Sequence, residues 1–109
     1  MDSSNRGPID AETEALMTLA EWLERSLDAG ANLILVRSGS EKSDVWLGDA
    51  GEESTDWKRC GVIRNAMVGK ILEATHSGGN ELTINGQTYR FNRSFAQAMN
   101  HGAIVFSPA

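Results

Sequence analysis

Alternation of apolar and polar positions is sharpest between residues 80 and 91, where Asn-Glu-Leu-Thr-Ile and Gln-Thr-Tyr-Arg-Phe flank Asn85-Gly86. That dipeptide supports the two positive φ angles of a type I′ turn, so a two-residue hairpin is predicted. Closing the turn there pairs Ile84 with Gln87, Thr83 with Thr88, Leu82 with Tyr89 and Glu81 with Arg90. Leu82, Ile84, Tyr89 and Phe91 then share the inward face, while Glu81, Thr83, Thr88 and Arg90 face water.

Helical spacing governs the N-terminal part. Leu16, Leu19, Ala20, Leu23 and Leu27 form one apolar stripe. Asp10 is the expected N-cap, Glu12 and Glu14 occupy the favourable first turn, and Gly30 lies just past the end. Glu21 and Arg25 stand four apart in the better orientation. Met17 and Trp22 fall on opposite shoulders of the stripe. The apolar run Leu33-Ile34-Leu35-Val36 then reads as a strand covered on both faces. After a polar loop over 38–44, Val45-Trp46-Leu47 forms a second strand, antiparallel to the first.

An acidic loop over 48–55 leads into a second predicted helix, about Thr55 to Thr75, capped by Ser54 or Thr55. Its inward stripe is Trp57, Cys60, Ile63, Met67, Ile71 and Ala74, and Ser77-Gly78-Gly79 ends it. Gly61 and Gly69 sit awkwardly inside that helix, each costing ~1 kcal/mol relative to alanine. They are expected to admit close approach of another backbone or to mark a bend. Arg64 falls near the apolar stripe, as a snorkelling side chain or as an anion-directed group beside Lys58 and Arg59. Beyond the hairpin, Ser94 would cap a short helix over 95–100, and Ala103-Ile104-Val105-Phe106 would form a last strand before Pro108.

The resulting order is α-β-β-α-β-β-(short α)-β. It predicts an α+β fold with a single, mostly antiparallel sheet of about five strands packed by two long helices. Residues 1–8 are polar and expected to form a flexible tail, leaving one domain over 9–109. The length of 109 residues, with 40% hydrophobic and 23% charged content, suits one core.

Charge and cysteine usage narrow the setting. No apolar run approaches the ~20 residues of a membrane helix, and the first residues lack the pattern of a signal peptide. The single cysteine, Cys60, suits a reducing compartment, so a cytoplasmic location without membrane association is expected. Net charge is −5, but residues 1–56 carry 13 acids against 4 bases and residues 57–109 carry 2 against 6. This division follows from a more solvated N-terminal half, or from an acidic and a basic side suited to oriented docking. Overall acidity disfavours nucleic acid. The hairpin pairing also turns Tyr89 and Phe91 inward, away from stacking on bases.

Catalytic chemistry finds little support in the sequence. A cysteine hydrolase needs a base beside the thiolate, yet Cys60 falls in an apolar stripe while His76 and His101 fall at helix ends. One cysteine and two distant histidines do not make a zinc site. The acids at 49, 52 and 53 lack calcium-loop spacing, and residues 38–40 lack phosphate-loop and nucleophile-elbow patterns. No catalytic, metal or cofactor residue is assigned. Two functional readings stand. One is a non-catalytic protein-interaction or regulatory module of adaptor or inhibitor type, docking through Glu21, Trp22, Glu24 and Trp46. The other is a small-molecule or anion-binding domain using Lys58, Arg59, Arg64 and Arg93, with Arg90 nearby. A homodimer is expected if Val45–Leu47 or Ala103–Phe106 is a sheet edge.

Overall fold

A computed structural model describes residues 10–51, 56–98 and 101–109, so the expected tail over 1–8 lies outside the described residues. The elements are α1 (Ala11–Ala29), β1 (Asn32–Arg37), β2 (Lys42–Gly48), β3 (Lys58–Arg64), α2 (Asn65–Ala74), β4 (Gly78–Ile84), β5 (Gln87–Ala98) and β6 (His101–Pro108). All six strands join one antiparallel sheet in the order β3-β2-β1-β6-β5-β4. The fold is α+β with one antiparallel sheet and two helices, as the sequence predicts. The strand count is six rather than about five, and the order is α-β-β-β-α-β-β-β.

The start of α1 follows local chemistry. Thr13 N–H donates to Asp10 Oδ1 at 2.8 Å, and that bond holds the Asp10 carboxyl below its ordinary range. Gly30 closes the helix at φ 65°, and Ala31 N–H returns to the Ser26 carbonyl at 2.9 Å. The buried stripe is rotated from the expected one. Ala15, Leu19, Ala20, Leu23 and Ser26 are buried, whereas Leu27 is exposed. Ser26 tolerates burial because its hydroxyl donates to the Leu23 carbonyl. No Glu21–Arg25 pair forms among the described residues; the Arg25 guanidinium stacks over Trp22 at 4.7 Å instead.

The second helix is where the structure departs most from expectation. Residues 58–64 are a strand, and only Asn65–Ala74 are helical. Trp57, Cys60 and Ile63 satisfy helical spacing, but Gly61-Val62-Ile63 also reads as extended β-branched chain, and pairing with β2 decides between the two. The register slips between Val45 and Trp46, leaving Cys60 as the extra residue of a bulge. Gly61 is small because Trp22 of α1 lies over it, with Trp22 Cη2 3.0 Å from where a Cβ would stand. The predicted short helix over 95–100 is also absent as far as Ala98, because β5 continues and pairs with β6 through Ala98↔His101. Met99 and Asn100 lie outside the described residues.

The Asn85-Gly86 hairpin forms in the expected register, from Ile84↔Gln87 to Glu81↔Arg90. Asn85 and Gly86 have φ of 53° and 79°, and Glu81 and Arg90 meet at 3.4 Å. Apolar residues fill both sides of the sheet. Under the helices, Leu19, Leu23, Leu35, Val45, Ile71 and Phe106 belong to one core. On the opposite face Ile34, Val36, Ala103 and Val105 form a second, closed by Trp57. Trp57 reaches back from the strand approach, and its indole N–H donates to the Asp49 carbonyl at 2.9 Å. Burial of residues 33–36 on both faces is what their unbroken apolar run predicts.

Candidate functional site

Two anchors tie the ends of α2 to the sheet. At its start, Asn65 N–H donates to the Glu41 carbonyl at 2.8 Å, and the Asn65 side chain engages Ser43 Oγ and the Gly39 carbonyl. At its end, Thr75 Oγ1 donates to the Ile71 carbonyl. Arg93, reaching up from β5, donates through Nη1 to the Leu72 carbonyl, the Thr75 carbonyl and Thr75 Oγ1. Helix C-terminal carbonyls form the negative end of the helix dipole, which accounts for a guanidinium buried there.

The strand that supplies Arg93 also borders an open apolar surface. β4 pairs with β5 only as far as Gly78↔Arg93, so Ser94–Ala98 is paired on one side, by β6. This overhanging hairpin and α2 enclose a groove of about 370 Å³. Leu35, Ile104 and Phe95 provide apolar surface, Val68 and Leu72 of α2 form a wall, and Arg37 is the only charged residue among those lining it. Phe95 is 60% exposed, the most exposed large apolar side chain among the described residues. Its ring is held from one side by the Arg93 guanidinium at 5.5 Å. Gly69 also lines the groove, and nothing lies within 4 Å of the position its Cβ would take.

The residues expected to form an interaction surface divide between opposite faces of the sheet. Glu21 and Glu24 line one cleft of about 320 Å³ between α1 and the β4–β5 hairpin, with Met17 and Tyr89. Tyr89 Oη donates to Glu24 at 2.7 Å, a bond that pushes the phenol above its ordinary value and ties α1 to β5. Trp22 is half-buried over Gly61. Trp46 lies on the face away from the helices, beside Trp57 and Ile34.

The expected anion-binding set is dispersed. Arg93 is buried as described, and Arg90 pairs with Glu81. Arg59 is 3.1 Å from Asp44 on the neighbouring strand. Lys58 and Arg64 occupy opposite ends of β3, about 20 Å apart at strand rise. Arg64 lines a cleft of about 460 Å³, which it shares with Ser40, Glu41 and Lys42 at the start of α2. Cys60 lies in the edge strand β3, whereas His76 lies between α2 and the opposite edge strand β4, so the fold does not bring thiol and imidazole together. Val45–Leu47 and Ala103–Phe106 are interior, in β2 and β6, so the condition set for a homodimer through either segment is not met. The edges are β3 and β4. Among the described residues no helix is long and apolar enough to cross a membrane, and no group of three or more metal-binding side chains gathers.

The Phe95 groove was invisible to sequence reasoning because it depends on β5 outrunning β4. Its one signal was strand parity. Tyr89 and Phe91 point inward, and the same alternation continued to 93 and 95 places both on the helix face. No family model, characterised protein or solved structure matches this chain.

Proposed function

We propose that this domain is a non-catalytic protein-interaction module of adaptor or inhibitor type, and that it docks through the groove between α2 and the β5–β6 hairpin. The observation that carries this reading is Phe95. A large aromatic ring stands mostly exposed at the rim of an open apolar groove, and interfaces concentrate aromatic anchors in such places. The fold supplies rigid support for it, since β5 is hydrogen-bonded to β6 and Arg93 locks β5 to α2. Retention of partners from lysate by the immobilised domain, by Phe95→Ser and by Glu21→Lys tests the reading. A protein retained by wild type and Glu21→Lys but lost from Phe95→Ser is the expected result. Loss from Glu21→Lys alone moves the surface to the acidic cleft, and equal retention by all three removes the reading.

A second reading, anion binding, is favoured by one observation. Arg64, Lys42 and Ser40 surround the first turn of α2, whose N–H groups receive no side-chain cap from Arg64. Inorganic phosphate in millimolar amounts should then raise the unfolding temperature of wild type but not of Arg64→Gln. An equal response of the two proteins, or none, excludes it.

A further inference from the structure

We infer that the α2–hairpin groove receives an apolar side chain flanked by a carboxylate, presented by a short acidic segment of a partner protein. This rests on the interaction-module reading and adds the chemistry of the partner. The groove carries one charge, the Arg37 guanidinium, and no acidic residue lines it, although the chain has 15 acids and 10 bases. Arg37 Nε is held by the Gly39 carbonyl at 3.1 Å. Its other N–H groups make no ion pair among the described residues, so an oriented fork of donors stands at the polar end of an apolar channel. A carboxylate satisfies that fork; a lysine or arginine in the same place is repelled.

Gly69 supplies the second strand of support. A glycine inside a helix costs ~1 kcal/mol relative to alanine, and here no neighbour demands it, since a Cβ would meet nothing within 4 Å. The space it leaves opens into the groove. With a volume of about 370 Å³, the groove falls in the roughly 300–1,000 Å³ range of ligand sites. The chain as a whole carries −5, so the long-range field opposes an acidic segment. Its preference arises from contact with Arg37.

The test is fluorescence anisotropy of the full chain with two matched sets of labelled 12-residue peptides. Each carries a central leucine or phenylalanine, flanked by aspartates in one set and by lysines in the other. The acidic set should bind at least about tenfold tighter. Arg37→Glu should reverse that order, and Gly69→Leu should weaken both sets by about tenfold or more. Both variants should keep wild-type tryptophan emission, which reports Trp22, Trp46 and the buried Trp57 together. Equal binding of the two sets, an order unchanged by Arg37→Glu, or no binding of either set overturns the inference. A dimer that Gly69→Leu converts to monomer overturns it as well, because a second copy then fills the groove. If the peptides fail while a lysate protein still depends on Phe95, the module reading survives and only the partner's chemistry is wrong.

Discussion

Arg93 shows how far a single side chain can be from its apparent role. By sequence it is a free base just beyond a hairpin, whereas in the structure it is the clamp on the C-terminus of α2. Arg93→Met keeps much of the aliphatic stem and removes the donors to the Leu72 and Thr75 carbonyls. It should cost about 2–3 kcal/mol, the range for a charged donor whose buried acceptors are left unpaired, measured as a shift in the urea midpoint at unchanged slope. Gly48 is a second such position. A Cβ there would stand 2.8 Å from Trp57 Cγ and 3.1 Å from Trp57 Cα, the latter backbone that cannot simply turn away. Gly48→Ala should therefore destabilise by about 1–3 kcal/mol and shift tryptophan emission. Tyr89 makes a prediction in pH. Its folded pKa is raised by the hydrogen bond to Glu24 above the ordinary 10.0. The unfolded chain therefore releases the proton first as pH rises. Stability from this bond is complete below the ordinary value and is lost as pH rises through the raised one. Unfolding midpoints followed from pH 8 to 11 should fall less steeply in Tyr89→Phe than in wild type.

At the scale of elements, the sequence was most legible where local chemistry and tertiary pairing agree. Asp10, Gly30 and the Asn85-Gly86 turn all sit where their own side-chain or φ requirements put them, and Leu33–Val36 is buried on both faces. The second helix is not formed over 58–64 because two periods fit the same residues, and only pairing with the preceding strand, β2, decides between them. Residues 95–98 are likewise decided by strand pairing. Phe-Ala-Gln-Ala suits a helix in isolation, and only the return of β6 holds it extended. Gly61 and Gly69 make the difference measurable, since one propensity rule covers both while their surroundings are opposite. Gly69→Ala meets open space on a helix and should stabilise by about 0.5–1 kcal/mol. Gly61→Ala presses on Trp22 at 3.0 Å within a strand and should be neutral or destabilising. Two gains of similar size in thermal unfolding would refute this account of α2 and β3.

For the molecule as a whole, the decisive fact is that the last strand enters the middle of the sheet. β1-β2-β3 and β4-β5-β6 are each built from consecutive strands, and only the pairing of β6 with β1 joins them. Leu33 and Phe106 are neighbours across that seam, and the Phe106 ring packs against Phe91 with centroids 5.7 Å apart. The same insertion alters the meaning of the charge division along the chain. The strands of the acidic half, β1 and β2, lie between strands of the basic half on both sides. The sequence halves therefore do not map onto two sides of the sheet. It also makes β6 indispensable, because Ala103 and Val105 fill one core and Phe106 the other. A chain ending at residue 100 exposes both cores at once and leaves β1 and β5 with open edges. It should show no cooperative unfolding transition by circular dichroism, whereas one ending at Ser107 should keep it with a modest loss. Closure of so distant a pair is also slow by nature. A conservative cut at the seam, Val105→Ala, should thus lower the refolding rate if the two halves dock in the transition state. If it raises the unfolding rate alone, docking comes after the barrier.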